Sequence, residues 1–195
     1  MTTIATAVLP AQAVPRRKLW TREEARFIQN SGLLDDGQYE LVEGELLQKM
    51  PKNEPHVFST ALTRSWAEGV FGGLFVRSQD PIALDEHNEP EPDVVVLSKG
   101  MREYLTLGTP PVEDVRLLVE VSDSTLEYDL TRKAALYARA GVVEYWVLDL
   151  PNRRLHVHLD PSEAGYGRVI TLAESQTIAP LANPDASVLV STLLP

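Results

Sequence analysis

Residues 117–149 read LLVEVSDSTLEYDLTRKAALYARAGVVEYWVLD. The stretch opens with an apolar run, Leu117–Ser122, that carries one carboxylate, Glu120. Ser124-Thr125-Leu126-Glu127 has the form of a capping box, so a helix should open there and stop at Gly141. A second apolar run follows at Glu144–Asp149. Strand, helix and strand in this order predict a right-handed parallel crossover whose strands are covered on both faces. Function is then expected at the sheet edge where strand ends and helix ends converge.

Outward from this unit the periodicity continues. Thr21-Arg22-Glu23-Glu24 is a capping box that predicts a helix running to Gly32. Residues 39–47 predict two short strands about a glycine turn. Val57, Phe58, Ala61, Leu62 and Trp66 recur at helical spacing between Pro55 and Val70. Strands are expected at 74–78, 94–97 and 115–121, and after the Pro151-Asn152 turn at 155–159 and 167–172. The fold class is therefore α/β, a central mixed β-sheet flanked by helices. Residues 1–18 read as a flexible tail and 19–195 as one domain, in keeping with a length of 195 residues.

Composition excludes some functions. The chain has no cysteine, so neither disulfides nor thiolate zinc sites are available. A net charge of −10 argues against a broad basic surface that coats nucleic acid, although not against a local grip. No stretch approaches the apolar length of a membrane span, and the basic cluster Arg16-Arg17-Lys18 follows the apolar N-terminal part, the reverse of a secretory signal; the expectation is a cytoplasmic protein.

Three residues stand out chemically. In EPDVVVL (Glu91–Leu97) Asp93 sits at the mouth of a buried strand, where a solvated turn acid is the plain alternative. Glu120 is desolvated in a central strand unless it is paired. On the helix, at about 100° per residue, Leu126, Leu130, Ala134 and Tyr137 fall within roughly 80°, and Lys133 lies in that stripe. Two readings compete: a snorkelling stem with its ammonium at the sheet edge beside Asp129, or an ammonium aimed at Glu120 and Asp93.

The order GEL, EPDVVVL and LLVEVSDSTLEYDLTRKAALYARAGVVEYWVLD resembles a large bacterial family of restriction endonuclease-like proteins in the PD-(D/E)XK nuclease superfamily. The resemblance runs from Trp20 onward. It implies a restriction endonuclease-like fold and a Mg²⁺- or Mn²⁺-dependent endonuclease acting on nucleic acid, expected to be DNA. It implies Asp93 and Glu120 as metal ligands. The superfamily places a lysine two residues after the strand acid, where this chain has Ser122; Lys133 fits a relocation to the following helix. Glu43 is the best match to an additional acid from an early element. A homodimer is expected, since two strands need two centres. The alternative is a catalytically silent binding or regulatory module on the same fold.

Other features read as structural. His156 and His158 share a strand face opposite Leu155, Val157 and Leu159, and are expected in solvent. Tyr145 and Trp146 read as core, and Asp149 as a turn cap. His56 is either a helix-start neighbour or a substrate contact.

Overall fold

The computed structural model describes residues 16–34 and 37–195, so positions 1–15 of the expected tail lie outside the described residues. Helix α1 (Arg22–Asn30) starts at the expected capping box: Glu24 N–H donates to Thr21 Oγ1 at 3.2 Å, and Thr21 N–H donates to the Glu24 carboxylate at 3.0 Å. Strands β1 (Tyr39–Val42) and β2 (Glu45–Gln48) form a hairpin whose turn residues Glu43 and Gly44 have φ of 52° and 73°. At Gly44 an added Cβ would come within 2.7 Å of the Leu19 side chain, so glycine is required twice over. Helix α2 spans Glu54–Phe71.

The main sheet has the order β3-β4-β5-β6-β7-β8. Its strands are β3 (Val76–Arg77), β4 (Val94–Leu97), β5 (Val115–Ser122), β6 (Glu144–Asp149), β7 (Arg154–Ser162) and β8 (Gly165–Ala173). Only β5 and β6 pair in parallel, joined by the crossover helix; every other neighbour is antiparallel. This is the mixed sheet that the flanking hairpins predict. Helix α3 (Met101–Leu107) lies between β4 and β5, and a small pair, β9 (Thr177–Ile178) and β10 (Val188–Leu189), closes the chain. No helix among the described residues is long and apolar enough to cross a membrane.

Both faces of the sheet are covered. On one, Val119, Val121, Trp146, Leu148, Leu155 and Val157 pack against α2 and the C-terminal residues Val190 and Leu193. On the other, Val95, Leu118, Tyr145 and Val147 pack under Ala134 and Tyr137 of the crossover helix. This double cover corrects one expectation. His158 is buried and lies against the Tyr145 and Tyr166 rings, because the crossover helix extends over β7 and β8, while His156 is half-buried beside Asp149. Asp149 caps its turn as expected, accepting from Asn152 N–H at 3.0 Å.

Three local expectations also change. Strand β3 is shorter than 74–78, because residues 73–75 make a 3₁₀ turn. Helix α2 buries Ser59, Thr60, Thr63 and Ala67, whereas Val57 and Phe58 stay exposed. The crossover helix lacks the second capping box. Thr125 donates to Asp129 Oδ2 instead, and the helix runs as α4 (Leu126–Tyr128), a π-helical turn (Asp129–Lys133) and α5 (Ala134–Ala140), ending on a left-handed Gly141.

Trp146 is fully buried, stacked on Trp66 at 5.5 Å between ring centroids, and donates to Glu144 Oε1 at 2.8 Å. Trp146→Ala should cost about 3–5 kcal/mol of folding free energy. Urea unfolding followed by circular dichroism would show this as a lower midpoint with an unchanged slope.

Candidate active site

The antiparallel register that opposes Val94 to Val119 sets Asp93 level with Glu120. Strand alternation then decides the face. Glu120 follows Leu118 onto the side covered by the crossover helix, and Asp93 shares that side with Val95. The two acids meet at the strand ends: Asp93 N–H donates to Glu120 Oε2 at 3.4 Å, and Val121 N–H donates to Asp93 Oδ2 at 2.9 Å. Both are under a tenth exposed, and both line a cleft of about 440 Å³.

Lys133 reaches them from above. Its Nζ donates to Glu120 Oε1 at 2.9 Å and lies 3.4 Å from Glu40 Oε1. Tyr137, one turn later, donates its hydroxyl to the same Glu120 oxygen at 2.8 Å. The ammonium is buried, so the snorkelling reading does not hold. The π-helical turn puts Asp129 and Lys133 on the inward side together, and Asp129 Oδ2 accepts from Ser122 and Thr125, each at 2.7 Å. Ser122, at the position where the superfamily pattern has lysine, thus ties the strand end to the helix.

Burial is the largest influence on Glu120 and pushes its carboxyl up to about 7; Lys133 opposes this, while Asp93, Asp129 and Glu40 add to it. Asp93 moves the other way. Burial works to raise it, but the His56 hydrogen bond and charge, the Val121 N–H and Lys133 hold it below the ordinary aspartate value. His56 donates from Nε2 to Asp93 Oδ2 at 3.1 Å. Burial disfavours its imidazolium, yet Asp93 outweighs that and holds its pKa above the ordinary histidine value. Burial likewise disfavours the Lys133 ammonium, and the charges of Glu120, Glu40 and Asp129 more than compensate.

The structure therefore brings Asp93, Glu120 and Lys133 together and leaves Glu43 apart. Glu43 sits in the hairpin turn, where Arg132 (2.8 Å) and Arg139 (2.7 Å) take its carboxylate, and it does not line the cleft. The early acid at the cluster is Glu40, buried in β1. Its signal was present: YELV holds a carboxylate inside a short strand, the same anomaly as LLVEVS. His56 and Tyr137 also join the cluster, and Tyr137 is recognisable as the residue four after Lys133 on one helix face.

Asp93 and Glu120 are the side chains that could hold a cation. They supply the hard oxygen donors that Mg²⁺ and Mn²⁺ take. Among the described residues Glu120 Oε2 receives only the long contact from Asp93 N–H, which leaves lone pairs available. Among the described residues no three His, Cys, Asp or Glu side chains form a ready-made metal cage. The fit is thus to a two-carboxylate site completed by water and substrate oxygens.

A family model, Uma2, described as "putative restriction endonuclease", matches residues 27–191. Among solved structures, the crystal structure of "a putative nuclease belonging to DUF820 from Anabaena variabilis ATCC 29413" is similar, with a TM-score of 0.65 and 14% sequence identity. The match covers 89% of this chain and 96% of that one. At that identity the likeness is one of fold. No curated protein matches the chain.

Removing Lys133 should expose the cost of the buried acids. In Lys133→Met, Glu120 loses the charge that lowers its pKa, so that pKa rises further above its unfolded value. The variant should match the wild type most closely near pH 5, where Glu120 keeps its proton, and fall behind as pH rises through about 7. The deficit at pH 8 should be about 3–5 kcal/mol. Adding Glu120→Gln should recover most of it, as urea unfolding at the two pH values would show.

Proposed function

The chain belongs to the Uma2 family of restriction endonuclease-like proteins, and on that premise we propose that it is a metal-dependent endonuclease that hydrolyses phosphodiester bonds, with DNA as its substrate. The observation that carries the reading is the Asp93–Glu120–Lys133 constellation: two acids and an ammonium at one sheet edge, on the wall of one cleft. Mg²⁺ or Mn²⁺, held by Asp93 and Glu120, would supply Lewis acidity to the phosphoryl group and to the attacking water.

The chain's own groups do the rest. An ammonium has three N–H donors. Lys133 commits one to Glu120 and directs a second toward Glu40, leaving one for a phosphoryl oxygen or the incoming water. Glu40 and Tyr137 hold that ammonium and the Glu120 carboxylate in place, as buried partners with few alternative rotamers. His56 does the same for Asp93 and keeps it ionised. Burial of the acids lowers the local dielectric, which strengthens each charge interaction at the reacting phosphate. Glu43 acts at a distance in this scheme, by anchoring Arg132 and Arg139 of the helix that presents Lys133.

Incubation with duplex DNA, single-stranded DNA and RNA in Mg²⁺ or Mn²⁺ should yield cleavage products that EDTA abolishes. Glu120→Ala and Lys133→Met should each reduce the rate at least about 100-fold. Cleavage by Glu120→Ala at the wild-type rate would refute the assignment. Binding of Mg²⁺ to the wild type by calorimetry, lost in Asp93→Asn, without cleavage of any substrate would favour the silent binding module. Two centres are needed for two strands, so light scattering should show a homodimer at working concentrations.

A further inference from the structure

Most charged groups around the cleft already answer one another. Asp93 holds His56, Glu120 and Glu40 share Lys133, and Glu91 accepts from Lys49 at 3.0 Å. Arg132 is committed to Glu43 and Glu45. Two further donors in the cleft wall stand outside these pairs. The Lys52 ammonium takes part in none of the described ion pairs or hydrogen bonds. The Tyr128 hydroxyl is buried without a hydrogen-bond partner among the described residues, although Arg132 and Lys133 flank its ring at 5.9 and 6.0 Å. Tyr128 belongs to the same crossover helix as Lys133, and Lys52 to the loop ahead of α2; both line the cleft that contains Asp93 and Glu120.

A buried hydroxyl without a partner carries a desolvation cost, and a half-buried lysine beside Lys49 carries electrostatic strain. Burial and the Lys49 charge act against the Lys52 ammonium and outweigh Asp93 and Glu91, which favour it. One ligand chemistry relieves both: an anion with several acceptor oxygens. A carboxyl ligand would offer one planar pair of oxygens, whereas a phosphodiester offers acceptors on several sides of one centre, for donors carried by two different elements of the cleft. The cleft volume of about 440 Å³ suits a mononucleotide-sized portion of one strand, within the range of small-ligand pockets.

We propose that Lys52 and Tyr128 form a phosphate-binding subsite that holds a phosphodiester of the substrate strand beside the Asp93–Glu120 centre. The polynucleotide identity of the ligand rests on the nuclease reading; the subsite's preference for phosphate does not. Lys52 contributes a point charge and Tyr128 a neutral donor, so the two residues should leave different signatures in salt.

The test is binding of a short fluorescein-labelled DNA strand in EDTA, by anisotropy across a salt series, with calorimetry of thymidine 5′-phosphate alongside. Lys52→Met should weaken strand binding about tenfold and reduce the log–log salt slope by about 0.7, the loss of one phosphate contact. Lys52→Arg should retain the slope. Tyr128→Phe should weaken binding by roughly three- to tenfold with the slope unchanged. If the wild type binds the strand and Lys52→Met matches it in affinity and slope, the subsite is overturned and the nuclease reading stands. If thymidine 5′-phosphate binds in a Lys52-dependent way but no polynucleotide is cleaved, the subsite stands and the nuclease reading falls. If neither probe binds the wild type, the subsite is overturned.

Discussion

The buried pair between Lys133 and Glu120, at 2.9 Å, is the constraint on which the rest of the site depends. Both charges are buried, so each costs several kcal/mol unless the other is present. That mutual need fixes the crossover helix against β5 at one rotation and one height. It also recruits the neighbours. Tyr137 gives Glu120 Oε1 a second donor, Glu40 supplies a second anion to the ammonium, and Asp129 draws Ser122 and Thr125 together. A hydrophobic pair of the same volume would pack as well or better. Stability alone therefore does not account for a charged pair at this position.

Much of this was legible because it followed from period. Buried parallel strands read as apolar runs, so a carboxylate inside LLVEVS announces itself. Helix phase placed Lys133 on the sheet side, and the structure buries it there. The hairpin at β1–β2 and the α1 cap rested on local chemistry that tertiary packing had no reason to override.

What was not legible depended on partners remote in sequence. The choice between Glu40 and Glu43 turns on two arginines some ninety residues later that capture Glu43. The π-helical turn arises where Asp129 and Lys133 both gain from facing inward, a gain visible only once Glu120 and Ser122 are beneath them. His158 looked solvent-facing because alternation assigns a face without saying what covers it; the crossover helix covers it. In α2 the apolar residues Val57 and Phe58 lie outward while Ser59 and Thr63 lie inward, with hydroxyls that have no partner among the described residues. Nothing in the structure explains that inversion.

Charge distribution links the site to the whole molecule. With 28 acidic against 18 basic residues, the surface as a whole repels a polyanion. Yet Lys49, Lys52, His56, Arg132 and Lys133 all line one cleft. The acids beside them absorb most of that charge in the free protein, which keeps five cationic or titratable groups from repelling one another across a small volume. A polyanion entering there competes with carboxylates for donors that are already oriented, so little reorganisation is left for the moment of binding. The acidic remainder of the surface then works in the same direction, because contacts elsewhere are unfavourable and the cleft is where a phosphate finds donors. Local grip and global repulsion together favour a polyanion at one place, which is what the proposed cutting centre requires and a coating protein does not.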